Sequence, residues 1–451
     1  MRRGQVYAYV WFFATISLIF GAIALFVIFS STFERNPPTV NAPSIIIWNM
    51  KTPIKFILSD DSGIKEYKIS IVDQNKQTTL FDENLSDAKK NIEVTLAYPK
   101  DAFIPSSNAY VDIQMKDKSM WGWFGGNKTS LKIPLLVDST PPQVRILSNS
   151  QAIYRGGSAL IAFSAIDNSK IATTWLETSD GATFATQPMD TNNTFVSIVA
   201  WDIKSPKFSV FACAKDFAGN ISKIPVSILT KDIPYKTSKI KLSADLVDQK
   251  MAHLCENTPN GKITDAVECF KYVNNTLRAK NEALIYKITQ RMGTSAINGF
   301  FTEPFLPITK AQVVGTFGDH RIFELNNEVI SESYHMGIDF ASTKEAVVVA
   351  PNNGVVLFAG DNGIYGNMLV IYHGLGLSTL YGHCSNIAVK EGDLVKRGQI
   401  IAHTGSTGLA FGDHLHYGVV VQGVPVRPVE WLDARWINHN VTLMFNMARG
   451  K

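Results

Sequence analysis

Nine histidines occur in this 451-residue chain, and those between residues 335 and 416 fall at short, even offsets from one another and from a carboxylate. The stretch opens with His335-Met336-Gly337-Ile338-Asp339 and closes with His414-Leu415-His416. Between them stands Tyr381-Gly382-His383. Gly337 and β-branched Ile338 argue against a helix at the first motif, and Tyr417 to Val421 reads as strand. Side chains at i, i+2 and i+4 of a strand share one face, so His335 is expected beside Asp339 and His414 beside His416. Two imidazoles and a carboxylate, with imidazoles to spare, suit a catalytic zinc ion, which takes three protein ligands and keeps one position for water. Either motif alone is more often a half-buried hydrogen-bonding histidine. Both together, in one segment with Gly-rich turns, favour the metal.

The elements that must position these residues carry further motifs: Gly315-Thr316-Phe317-Gly318-Asp319-His320-Arg321, Tyr381-Gly382-His383 and Gly405-Ser406-Thr407-Gly408. With His335 to Phe340 and His414 to His416, they make residues 300–434 resemble the catalytic domain of the lysostaphin/LytM-type zinc metallopeptidases, which cut peptide bonds in bacterial peptidoglycan. That resemblance implies a β-sheet peptidase domain and one Zn²⁺ per chain, held by His335, Asp339 and His416, with His383 and His414 as the non-ligand catalytic histidines. It implies a metalloendopeptidase of D,D specificity acting on stem peptides and cross-links. In that scheme His414 takes the proton of water and passes it to the leaving amine, while His383 hydrogen-bonds the oxyanion; the two duties are exchangeable. His320, His373 and His403 fall outside the motifs and are read as structural, and Arg321 and Asn327 lie near the family's substrate-side positions. Two other functions are weighed: a LytM-like activator of a separate cell-wall amidase without its own catalysis, and a peptidase of other envelope proteins. The intact five-residue set speaks against the activator.

The composition, 45% hydrophobic and 18% charged, is that of folded domains, and a net charge of +4 without long basic runs excludes a dedicated nucleic-acid binder. No phosphate loop, dinucleotide fingerprint or GxSxG serine elbow occurs. Residues 7–30 carry no charge and are long enough to cross a bilayer. Arg2 and Arg3, in a short tail over 1–6, are expected to stay in the cytoplasm. The expected location is the cytoplasmic (inner) membrane, single-pass, with the bulk of the chain periplasmic.

The expected fold is mainly β. Asn36-Pro37-Pro38-Thr39-Val40 and Thr140-Pro141-Pro142-Gln143-Val144 open two units. Each holds an acidic turn, Asp60 to Gly63 and Asp167 to Ser169, and a late Lys-Asp pair, Lys116-Asp117 and Lys215-Asp216. The repeat suggests two immunoglobulin-like sandwiches, over 36–137 and 138–234. The Trp121 to Gly126 insertion is expected as an aromatic hairpin tip, with a partner or membrane contact as the alternative. A helical hairpin is expected over 243–293, with Leu246, Val247, Met251 and Leu254 on its first helix. Ile263, Val267, Phe270, Leu277, Leu284 and Ile288 stripe the second, and Gly293 is its expected cap. Cys255 and Cys269 flank the turn and either form a disulfide or stay free; Cys213 and Cys384 are expected buried. The hairpin could restrain the catalytic domain or contact a regulatory partner or a second copy. Asn367 to His373 and Leu377 to Tyr381 read as strands joined at Gly374-Leu375-Gly376. Residues 435–451 are expected as a C-terminal tail.

Overall fold

The computed structural model describes residues 2–450 apart from 75, 99–107, 123–124, 192, 257, 301 and 326. The chain is mainly β and divides into two compact units, Met1–Pro141 with Asp216–Asn220, and Pro142–Lys215 with Ile221–Lys451.

The first unit begins with the helix Arg2–Phe29, whose Tyr7–Phe29 portion is 23 residues long and buries none of its side chains in the protein. At 1.5 Å per residue that portion reaches about 35 Å, against about 30 Å of bilayer hydrocarbon. Six strands follow in one hydrogen-bonded sheet, ordered Thr39–Asn41, Ile54–Asp73, Tyr110–Asp117, Lys128–Val137 and Ile46–Trp48, with Lys76–Leu96 also paired to Ile54–Asp73. Alternation buries Phe56 and Leu58 while Ile57 faces out. The predicted acidic turn at Asp60 is instead a kink within the long strand Ile54–Asp73. Asp60 Oδ1 accepts from Ser62 N–H and Oγ–H and from Gly63 N–H at 2.7–2.9 Å, so the local bonds turn the chain without ending the strand. Of the expected aromatic tip, Trp121 lies under the Arg35 guanidinium at 4.3 Å, while Trp123 and Phe124 fall outside the described residues.

In the second unit, Thr183–Ala185, Ile171–Thr178, Val210–Asp216 and Ile221–Pro225 form one sheet. Gln187–Pro188, Thr194–Ala200, Ser158–Ile166 and Gln143–Asn149 form another. Leu176, Phe184 and Ala212 of the first meet Ile161, Phe163 and Val196 of the second in one core. That core does not stop at the sandwich. It continues through Phe305, Tyr417, Val419, Val421 and Trp431 into an eight-stranded sheet. There the order is Gln312–Gly315, Ile338–Ala341, Leu415–Val421, Leu377–Cys384, Asn367–Gly374, Gly354–Asp361 and Leu394–Val395, with Val424–Val426 paired to Leu415–Val421. Residues 435–450 are not a loose tail. They run as the helical turns Ala434–Ile437, Asn438–Thr442 and Leu443–Ala448, with Met444 and Phe445 buried and Ser148 Oγ donating to the Met444 carbonyl at 2.6 Å. Met444 and Phe445 need cover, and the sandwich supplies it.

The other face of the eight-stranded sheet, through Met368, Val370, Leu380 and Val420, is covered by the helical segment. This comprises Ala244–Met251, Ala266–Lys271, a π-helical stretch Tyr272–Leu277 and Arg278–Thr289. Val247, Met251, Phe270, Val273 and Ile285 supply its apolar side. Asp265 accepts from Glu268 N–H and starts the second helix there, which leaves Ile263 ahead of it. Cys255 and Cys269 form a disulfide, and Cys213 and Cys384 are free and buried. The helix ends at Thr289, so Gly293 is not its cap. A Cβ at Gly293 would stand 2.5 Å from Gln187 Nε2, and glycine serves close packing there. The strand Thr237–Leu242, which leads into this segment, pairs in parallel with His320–Leu325.

Candidate active site

Register builds the site. Ile338–Ala341 and Leu415–Val421 run antiparallel with Asp339 directly opposite His416, and Gly382 opposes His416 from the other side. Alternation sends Leu415, Tyr417 and Val419 into the core and turns His416 the other way, beside Asp339. His335 reaches the same place by a different path from the expected one. Its strand, Glu328–Tyr334, has already ended, and His335 sits in the link before Ile338. Paired backbone bonds with 318–319 hold that link: Gly318 N–H donates to the His335 carbonyl at 2.7 Å, and His335 N–H to the Asp319 carbonyl at 3.0 Å.

Three side-chain atoms converge here. His335 Nε2 lies 2.9 Å from Asp339 Oδ1 and 3.1 Å from His416 Nδ1, and His416 Nδ1 lies 3.0 Å from Asp339 Oδ1. His335 Nδ1–H donates to the Thr316 carbonyl at 2.9 Å, so in the neutral ring Nε2 carries a lone pair. Lone pairs about 3 Å apart repel unless a proton or a cation lies among them. Ligands about 2.05 Å from a tetrahedral zinc stand about 3.3 Å from one another, within a few tenths of the triangle seen. The donor set therefore fits a divalent metal. Two glycines make room for it: a Cβ at Gly337 would stand 2.6 Å from His416 Cε1, and one at Gly315 would meet the Asp339 carboxylate.

Burial opposes the charge of Asp339, but the adjoining His335 and His416 rings, which bond and attract it when protonated, outweigh burial and hold the carboxyl well below the usual range. Burial pushes His416 down to about 4, with Asp339 partly compensating. It pushes His383 down to about 3, aided by the neighbouring His416 and His414. Neutral imidazole is the form that binds metal or accepts a proton.

His383 and His414 stand alongside, their ring centroids 4.8 Å apart. His383 Nδ1–H donates to the Thr407 carbonyl and His414 Nδ1–H to the Gly412 carbonyl, each at 2.8 Å. Both rings therefore keep Nε2 as a free acceptor. His414 lies just ahead of the strand, bridged to Gly405, with Nε2 3.8 Å from Asp339 Oδ1. The expected oxyanion contact of His383 requires that its Nε2 first gain a proton.

The Peptidase family M23 model matches residues 333–428, which hold all five of these side chains. Residues 333–428 are a peptidase family M23 domain. The chain is 44% identical over 143 residues to the DD-carboxypeptidase/endopeptidase Mpg of Neisseria meningitidis, covering 32% of this chain and 30% of that protein. It is 39% identical over 122 residues to the peptidoglycan DD-endopeptidase ShyB of Vibrio cholerae, covering 27% and 28%. To the murein hydrolase activator NlpD of Escherichia coli it is 34% identical over 129 residues, covering 28% and 31%. The chain thus spans under a third of the length of these relatives.

The M23 domain's cleft has walls from outside the matched residues. A cavity of about 540 Å³ is lined by His335, His383, His414 and His416 together with Ser238, Met251, Phe270, Arg278, Asp319 and Arg321. Arg321 Nη2 lies 3.4 Å from Asp339 Oδ2 and its Nε 3.5 Å from Asp319 Oδ2, and Ser238 Oγ donates to Asp319. Asn327, the other expected substrate-side residue, is not in the lining. His320 pairs with Glu332 at 3.0 Å and stacks on Tyr334, and His373 bonds the Asn353 carbonyl and Thr379 Oγ. His403 pairs its strand with Val347–Val349 and Asn386–Ile387. Sequence reasoning missed Tyr365, edge-on to His416 at 5.5 Å, and Arg278; only the helical stripe around Arg278 gave a signal.

Proposed function

We propose that the chain is a membrane-anchored zinc metalloendopeptidase that hydrolyses peptide cross-links of bacterial peptidoglycan. The observation that carries the reading is the convergence of His335 Nε2, Asp339 Oδ1 and His416 Nδ1 within 3.1 Å, beside His383 and His414, whose Nε2 atoms stay free. The names of the DD-endopeptidase relatives support the substrate class.

His335, Asp339 and His416 would hold the zinc. Once bound, the ion supplies acidity to a water and polarises the scissile carbonyl. His414 Nε2 accepts the proton of the attacking water as the C–O bond forms, then returns it to the leaving amine as the amide C–N bond breaks. The Gly412 carbonyl steadies the imidazolium formed in between by accepting its Nδ1–H. His383 would hydrogen-bond the tetrahedral oxyanion by taking up a proton at Nε2, which burial opposes and the developing negative charge favours. Geometry allows these duties to be exchanged. Asp319 and Arg321 brace the rear of the Asp339 carboxylate.

Arg2 and Arg3 ahead of the apolar helix support an anchor with its amino end inside and the peptidase outside. The deciding experiment is digestion of purified sacculi by detergent-solubilised chain, stripped with chelator and reloaded with zinc, with product masses read. Conversion of cross-linked dimers to monomers only in the loaded sample is expected. Unchanged dimers, with stimulation of an added amidase, would establish an activator instead.

A further inference from the structure

We infer that Arg278 forms a subsite for a free carboxylate of the peptide substrate, on the wall of the M23 cleft that the helical segment supplies. The inference rests on the peptidase reading and adds to it what the cleft selects. Arg278 lies outside residues 333–428, yet its side chain lines the same cavity as the five site residues.

The guanidinium is held in a fixed pose. Its Nε and Nη2 both donate to Asn274 Oδ1, at 3.1 and 2.9 Å. Asn274 is itself 2% exposed and anchored, its Nδ2 donating to Ser331 Oγ at 2.7 Å and to the Glu332 carbonyl at 3.3 Å. This pair falls at the π-helical stretch Tyr272–Leu277, a local widening that recurs at functional sites and here aligns Asn274 with the strand Glu328–Tyr334.

The guanidinium is loosely paired with one carboxylate and hydrogen-bonded to none. Its side chain is 20% exposed, and the nearest carboxylate, Glu282, stands 3.8 Å from Nη1, beyond hydrogen-bond reach. Nη1 makes no hydrogen bond among the described residues. Asn274 is its hydrogen-bond partner and Glu282 stands beyond bonding distance, so this largely desolvated cation keeps Nη1 open to a carboxylate that matches the planar fork. Arg321, which lines the same cavity, is by contrast hydrogen-bonded to Asp319 and Asp339. Tyr365 links Arg278 to the reaction centre. Its ring stands edge-on to His416, and its hydroxyl feels the charges of Arg278 and Glu282. Exposed Lys236 lines the cavity as well and adds positive charge without an ion pair among the described residues. An uncapped stem peptide offers such a carboxylate at its C-terminal D-alanine or on an unamidated cross-linking diamino acid.

The test uses the full chain and three synthetic cross-linked peptides: the free acid, the C-terminal amide, and the carboxamide of the diamino acid. Binding is measured on zinc-loaded His414→Ala, and cleavage on the zinc-loaded chain. One of the two amidations should weaken binding about 10- to 100-fold, naming which carboxylate is read. Adding Arg278→Gln should bring all three peptides to the weaker level with zinc content unchanged, and Arg278→Lys should restore part of the preference. Discrimination that survives Arg278→Gln overturns the subsite, as does equal binding of all three peptides. Equal cleavage of all three overturns the subsite and leaves the peptidase reading intact. Arg278-dependent binding without any cleavage does the reverse.

Discussion

Glu430 offers the sharpest physical test of how the M23 domain is held to its neighbouring sandwich. It lies in the short helix Pro428–Leu432, is 6% exposed, and accepts from Ser158 N–H at 3.1 Å across the shared core. Burial pushes its carboxyl from 4.5 up to about 7, against the opposing pull of Arg427, 3.9 Å away, and of the Ser158 N–H. Between those two pH values the folded chain holds a proton that the unfolded chain has released. Stability from this group is therefore fully present below pH 4.5 and is lost as pH rises through about 7. At about 1.4 kcal/mol per pH unit, the whole loss comes to about 3 kcal/mol. Glu430→Gln keeps the shape and the acceptor without titrating. Urea unfolding, followed by tryptophan emission in a pH series, should find the variant equal to the native chain at the acid end. Its advantage should grow to about 3 kcal/mol by pH 8. A difference that stays flat with pH, or a variant that is weakest at pH 8, would refute the reasoning.

Three further outcomes bear on the site and a fourth on orientation. Asp339→Ala should fold but retain under about a tenth of the zinc by elemental analysis, because two imidazoles alone leave the triangle open; full occupancy would end the ligand assignment. His414→Ala should keep its zinc and lose about 10²- to 10⁴-fold in hydrolysis of cross-linked dimers, and release of the metal would show that His414 is a ligand. Gly337→Ala, whose added Cβ would press on the His416 ring, should weaken zinc affinity about 10- to 100-fold in a chelator titration, and unchanged affinity would mean the ring has room to move. A reporter fused after Lys451 should be active only on the exported side of the membrane, and cytoplasmic activity would overturn the orientation.

The site was legible in outline because sheet periodicity and register act over a few residues. The HxH spacing and the apolar run after it already put His416 on a strand, and the Gly-Leu-Gly hairpin between Asn367–Gly374 and Leu377–Cys384 followed from turn chemistry. His335 is a different case. It arrives beside Asp339 through a link between two strands, and the strand argument reached the right place by the wrong route. The kink at Asp60 was read as a turn because Asp-Asp-Ser-Gly carries turn chemistry; the ladder to Lys76–Leu96, which keeps the strand going, is a long-range pairing that no local pattern shows. Beyond the helical stripe around it, Arg278 gave no sign in the sequence. Its role depends on the π-helical register and on Asn274 meeting Ser331, two residues far apart in the chain. Residues 435–450 read as a tail because an amphipathic turn is silent about what will cover it.

The direct opposition of Asp339 and His416 on neighbouring strands has a consequence for how such a protein can diverge. The spacing of two of the candidate ligands is set by the pitch of a sheet buried on both faces, and so it is insulated from changes in the loops and insertions around it. Arg278, Met251 and Phe270 belong to a separate, disulfide-bridged segment that merely leans on that sheet. In the proposed reading, chemistry and selectivity are thus carried by different stretches of polypeptide. Exchange of the segment would change which peptides fit while leaving the ligand geometry untouched.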